Sequence, residues 1–308
     1  MSFPKAILSG LNDRKPNMVL FLSGSGSNAE QILKMRASML AAGKEVPFEL
    51  RALVTDAPEK SRANQLGKQY GVPVIAEDIR KFYNEHGEKR VSIATERGQE
   101  LRQQWTDCLR KKLAPCAVDF AVFAGFVPLT NLAGDYPCLN VHPGDLTYLK
   151  DGKRYLVGLH EVPVERAILE DLSYLRSSVI MVRPYTGSGT DDMDSGLLLG
   201  ISEEVEIDLC DEKLVDLAAV AAQRPSRRPV GGYHDRLEEV ASMNLERLKV
   251  DGDWKVLPSV VCDFAMGKYA MSEDGKQLYY RIGSKFHPVK TVLMEGNARE
   301  AIFNAEKI

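Results

Sequence analysis

The sequence predicts an α/β fold: a Rossmann-like, doubly wound, mostly parallel sheet with a C-terminal helix and hairpin extension. Continuous apolar runs alternate with helix-spaced segments, as in a sheet covered on both faces. The first apolar run breaks into the glycine-rich stretch "SGSGSN" before the first helix. The chain has 308 residues, 44% of them hydrophobic, enough for a full core.

Met18 to Leu22 reads as a buried strand bounded by Pro16 and Gly24. Asn28 to about Ala42 has helix spacing at Ile32, Leu33, Met35 and Leu40. Glu49 to Asp56 is a second strand, and Arg62 to Tyr70 a helix closed by Gly71. "VPVIAED" is a third strand, and Ser92 to about Leu113 one long helix. Val118 to Gly125 and Cys138 to Pro143 are further strands, and Val162 to Leu172 is helical. "SSVIMV" and "SGLLLG" are strands separated by a polar loop, Arg183 to Asp194. After Glu203 come helices at Glu212–Ala222 and about Arg236–Leu248, then a hairpin turning at Asp274-Gly275. The expected division is an α/β domain over residues 1–200 and an extension over 201–308 packing on it.

A formal net charge of −3 argues against nucleic acid as the main partner. The five cysteines form no CxxC, and paired Cys/His spacings are absent, so free thiols and no metal are expected. No apolar run approaches membrane-spanning length, and the N-terminus shows no cleavage pattern, so a cytoplasmic protein is expected. The run Arg224, Arg227, Arg228 reads as a solvated loop.

"GSGSNA" satisfies G-x-G-x-x-G/A, with Ala29 in the last slot and Asp56 where a ribose-binding acid sits in a dinucleotide fold. Three readings stay open: a nicotinamide cofactor, a turn that only packs helix on strand, or a mononucleotide or sugar-phosphate site. Ser23, Ser25, Ser27 and Asn28 add side-chain hydrogen bonds that suit a compact phosphate. A branched side chain at Gly26 is expected to block that phosphate with little loss of fold.

Asn140 and His142 lie two apart on a predicted strand and share a face. Such a polar pair is either satisfied structurally or used, as an oxyanion donor beside a general acid or base. Asp194 begins a later strand, where a carboxylate can orient the imidazole; Asp191 and Asp192 are competitors for that role.

These stretches, "LFLSGSGSNAEQIL", "FAVFAGFVPLT", "LNVHPGDL", "GLHEVPVERAIL" and "SSVIMV…DMDSGLLLG", occur in an order that resembles the folate-dependent formyltransferases, glycinamide ribonucleotide formyltransferase above all. The resemblance runs from about Asn17 to Gly200 and more faintly from Leu237 to Gly283. It implies formyl transfer from the co-substrate 10-formyltetrahydrofolate to the primary amine of a phosphorylated acceptor in purine biosynthesis, without a metal. By position it implies Asn140, His142 and Asp194 as the catalytic trio. It implies Gly24, Ser25, Gly26, Ser27 and Asn28 around the substrate phosphate, and Phe126, Val127, Pro128 and Leu129 beside folate. Glu238 would be an acid on the substrate. The implied partners are the two small molecules, with no nucleic acid or membrane, in a monomer or homodimer. The chain departs from the family at "HPGDL", where the family reads His-Pro-Ser, at Pro128 for an Arg, and at Ile180 for a His. Beside it stand a formyltransferase-like ligand-binding protein of lost or altered activity and a nicotinamide-dependent oxidoreductase.

Overall fold

In the computed structural model, residues 4–11, 13–159, 161–184 and 194–304 are described. Asp191 and Asp192 lie outside them. The first strand, β1 (Asn17–Phe21), runs parallel to β2 (Glu49–Thr55) and to β4 (Phe120–Phe123). β3 (Val74–Ala76) pairs outside β2, and β5 (Cys138–His142) pairs parallel with β4. β6 (Ser178–Met181) then enters antiparallel beside β5, and β7 (Leu197–Ser202) antiparallel beside β6.

Alternate residues of β1 serve the two faces, as the strand period requires. Met18 and Leu20 pack with α1 (Ser27–Ala41) and with α8 (Trp254–Ala265). Val19 and Phe21 pack with Trp105 and Leu109 of α4 (Glu96–Leu113). Between these lie α2 (Ala63–Tyr70) and α3 (Ile79–Glu85). A third core joins α5 (Val162–Leu169), α6 (Leu214–Ala222) and α7 (Arg236–Leu248) through Ala167, Leu217 and Val240.

The long helix expected from Ser92 starts at Glu96, where the Thr95 hydroxyl accepts from Gly98 N at 3.1 Å. The unexpected α3 precedes it, capped by Asp78. Helix α8 was also not expected from the pattern; Pro258 lies inside it. It follows α7 through a π-helical turn, Lys249–Asp253.

The hairpin at Asp274-Gly275 is present: β8 (Tyr269–Met271) pairs with β9 (Leu278–Ile282), which pairs with β10 (Lys285–Val289). The short strand Lys5–Ala6 completes that sheet. Then β11 (Thr291–Glu295) pairs parallel with β7, and β12 (Ala298–Ile302) pairs with β11. Among the described residues the central sheet thus has nine strands, in the order β12-β11-β7-β6-β5-β4-β1-β2-β3.

Among the described residues no helix is long and apolar enough to cross a membrane, and no group of three His, Cys, Asp or Glu could hold a metal.

The candidate site at the strand ends

After β1 the chain moves outward to β2 and β3, then returns to β4 on the other side of β1. That reversal opens a crevice at the carboxyl ends of β1 and β4. Ser23 N donates to Gly125 O at 3.1 Å, and Val127 N donates to the Ser23 hydroxyl at 2.9 Å. The two loops therefore form one wall.

Gly26 sits at φ +63° as the residue before α1, with no side-chain cap on the helix. The first N–H groups of α1 therefore have no side-chain cap. Ser23 through Asn28 line a pocket of about 300 Å³ with Gly125, Val127 and Lys249. Lys249 adds a cation; its ammonium also pairs with Glu246. A Cβ on Gly26 would stand 2.6 Å from Leu22 Cδ1 and 3.1 Å from Leu66 Cδ1. The expectation of a harmless Gly26→Val is therefore corrected: the change presses into the core and strains the left-handed backbone.

Asn140 and His142 leave β5 on one face, as the spacing requires. Asp194 Oδ2 lies 3.3 Å from His142 Nδ1. The ring is turned inward: it is only 3% exposed, and its Nε2 lies 2.7 Å from Leu156 O. Both neighbours are hydrogen-bond acceptors, so each ring nitrogen faces a protein oxygen. Asn140, two residues before His142 on β5, is half-buried. Arg154, largely buried, donates to Asp194 O; burial depresses its pKa and the Asp194 charge opposes that.

Glu238 and Asp253 have different surroundings. Glu238 lies in the first turn of α7, where its carboxylate binds Arg228 and accepts from His234 N at 2.7 Å. None of its hydrogen bonds among the described residues reaches the loop or β5. Asp253, at the start of α8, reaches the loop instead. Its Oδ2 accepts from Asn28 Nδ2 at 3.0 Å and its Oδ1 from the Ser177 hydroxyl at 2.6 Å. Burial raises the Asp253 carboxyl pKa; those hydrogen bonds and the His142 charge only partly offset it.

The segment expected beside folate is split. Phe126 is buried against Phe21, Phe123 and Trp105, so it belongs to the core. Val127 and Leu129 are exposed, and with Pro128 they line a groove at the strand ends. In the arginine loop Arg227 is exposed as expected, but Arg224 and Arg228 are half-buried and paired. Arg224 is paired with Glu165 at 2.8 Å and Asp235 at 2.7 Å and stacks 4.0 Å from the Tyr233 ring.

The sequence missed Lys249, Asp253, Arg154 and the Leu156 carbonyl. The only local signal was the polar break "KVDGD" between two apolar helical stretches.

Fold and site together define an open α/β protein with a glycine–serine loop at the switch point and an Asn–His–Asp group on the neighbouring strand ends. Solved structures with this architecture include formyltransferases and a deformylase. Phosphoribosylglycinamide formyltransferase from Coxiella burnetii superposes with a TM-score of 0.56 at 17% identity, over 92% of this chain and all of that one. The enzyme of that name from Anaplasma phagocytophilum gives 0.52 at 15%, over 92% and 100%. A formyltetrahydrofolate deformylase from Pseudomonas syringae pv. tomato gives 0.50 at 11%, over 85% of this chain and 65% of that one. No family model and no curated protein matches the sequence. The chain has the formyltransferase fold.

Proposed function

We propose that the protein is a folate-dependent formyltransferase, moving a formyl group from 10-formyltetrahydrofolate to the primary amine of a phosphorylated acceptor, with glycinamide ribonucleotide as the first candidate. One observation supports this most: Asn28 of the anion loop binds Asp253, whose carboxylate lies within the field of His142, itself paired with Asp194. Phosphate-binding and carbonyl-chemistry groups thus form one continuous site.

When bound, 10-formyltetrahydrofolate supplies the formyl carbon and, in N10, the leaving nitrogen. The α1 N–H groups and Lys249 hold the acceptor phosphate. Asn140 donates to the oxygen that becomes negative when the amine adds. His142, held between Asp194 and the Leu156 carbonyl, presents its ring beside that oxygen. The proton lost by the amine ends on the leaving nitrogen, relayed by water ordered at Asp194.

His142→Ala is the test. Formyl transfer to glycinamide ribonucleotide should fall in kcat by ~10²–10⁴, with KM for the acceptor within a few-fold. The competing reading, a ligand-binding relative without turnover, draws on the Leu156 carbonyl that occupies His142 Nε2. Binding of folate and acceptor by the parent protein, with no formyl transfer, would select it.

A further inference from the structure

The loop that follows β5 returns to His142 through Leu156. The Leu156 side chain is 1% exposed and packs with Val164, Ala167 and Ile168 of α5. Its carbonyl lies 2.7 Å from His142 Nε2. The carbonyls on either side of it, those of Tyr155 and Val157, both accept from one nitrogen, Arg166 Nη1, at 2.8 Å and 2.9 Å. Arg166 stands on α5, and its guanidinium carbon lies 5.3 Å from the centre of the Tyr155 ring. Three successive carbonyls of the loop are thus placed: the outer two on a cation of α5, the middle one on the ring of His142.

Peptide planes are rigid, so a carbonyl turns only when its neighbours turn with it. Fixing the carbonyls of Tyr155 and Val157 therefore fixes the direction of the one between them. Hydrogen bonds from an ionised donor are the strong kind, which suits Arg166 to that task. A carbonyl only accepts, so the bond to Leu156 places a hydrogen on His142 Nε2. We infer that Arg166 is a positioning residue for His142. By holding the loop on both sides of Leu156 it aims the carbonyl that fixes the ring, whose other nitrogen then faces Asp194. Arg166 acts through the loop and not on the ligands. The inference deepens the proposed function and rests on it for the step that the ring serves.

Imidazole N–H NMR on the free protein, together with kinetics, tests it. The parent should show a slowly exchanging ring N–H signal that vanishes in His142→Ala. Its absence from the parent overturns the inference without any further variant. Arg166→Met keeps the apolar stem and removes the donors. It should lose that signal while the backbone amide signals of β5 stay in place. Its kcat for formyl transfer should fall by ~10², the scale of a misplaced catalytic group, with KM for the acceptor within a few-fold. In a His142→Ala background the same change should lower kcat by less than about twofold further, because the ring it positions is gone. An unmoved ring signal overturns the inference, as does a full loss of kcat repeated in the His142→Ala background. If Arg166→Met fails to fold, Arg166→Gln, neutral and shorter, is read by the same outcomes. If the parent transfers no formyl group, the ring signal still decides whether Arg166 positions His142, and only the proposed reaction is overturned.

Discussion

The two ends of α8 each bury a carboxylate, and the two are paired in opposite ways. At the C-terminal end Asp263, 1% exposed, is met by Lys268 at 2.8 Å, Arg299 Nε at 2.9 Å and the Tyr280 hydroxyl at 2.7 Å. Those partners come from the turn after α8, from β12 and from β9, so this acid ties the two sheets to the helix. At the N-terminal end the hydrogen-bond donors to Asp253 among the described residues are neutral, Ser177 and Asn28, with His142 and Lys249 acting only through their fields. A buried carboxylate surrounded by cations is neutralised in place. One held by neutral groups keeps its field for whatever enters beside it. The first is a fastener of the fold and the second a component of the site.

The comparison breaks first at Asp263. Asp263→Asn leaves Lys268 and Arg299 without their shared anion and should cost about 3 kcal/mol. That is the low end for a broken buried pair, because both cations keep partial solvent contact. Urea denaturation measures the loss. Formyl transfer by the remaining folded protein should stay within a few-fold of the parent. A stability change below about half a kcal/mol, the scale of an ordinary surface substitution, would remove the fastener role.

Asp253→Asn should give the reverse pattern. Asn28 Oδ1 is buried without a partner, so Asn28 can turn its amide to accept from the new side chain. Stability should therefore change little, while kcat/KM for formyl transfer falls by ~10². Equal losses at both ends of the helix would mean that α8 has two structural acids and no functional one.

How far these roles were legible depends on sequence distance. The strands beside the site showed as continuous apolar runs, because a parallel strand covered on both faces has no polar positions to alternate with. Ser23–Asn28 and the pair Asn140–His142 are local patterns that need only the chain's own period. Asp253 is 225 residues from the asparagine it binds, and no local pattern joins them. Glu238 looked as good an acid, and only the fold shows its charge spent on Arg228. The inward ring of His142 depends on Leu156 in the altered loop. Helices α3 and α8 were hidden differently: α3 is short, and Pro258 interrupts the helical reading of α8.

Gly144 sharpens the functional half. A Cβ there would stand 2.5 Å from Leu156 O and 2.8 Å from His142 Nε2. Gly144→Ala must separate that carbonyl from the ring, at a cost of about 1–3 kcal/mol. The displaced ring should lower kcat more than it changes acceptor KM. A variant with parental kcat would show that the bond from His142 to Leu156 is dispensable for turnover.

The smallest expected effect concerns pH. Burial holds the Asp253 carboxyl above its ordinary value of 3.8, so the folded state binds that proton more tightly than the unfolded chain. Below about pH 4 both states are protonated and the site contributes no slope. As pH rises from there toward the raised folded value, the unfolded chain loses its proton first and stability falls. Asp253→Asn has no proton to lose in that window. The stability of the parent minus that of the variant should therefore decline with rising pH, by about 1.4 kcal/mol for each tenfold by which folding tightens the hold on that proton. Asp119 supplies the opposite sign in the same molecule, since its bond from Arg14 depresses its pKa. Its contribution is full above the ordinary carboxylate range and is lost as pH falls through the depressed value. Urea midpoints from about pH 3 to 8, spanning the carboxylate range, on the parent, Asp253→Asn and Asp119→Asn should therefore give difference curves of opposite slope. An Asp253 difference that grows with pH would mean that the carboxylate is charge-stabilised where it lies, and the contrast between the two ends of α8 would vanish.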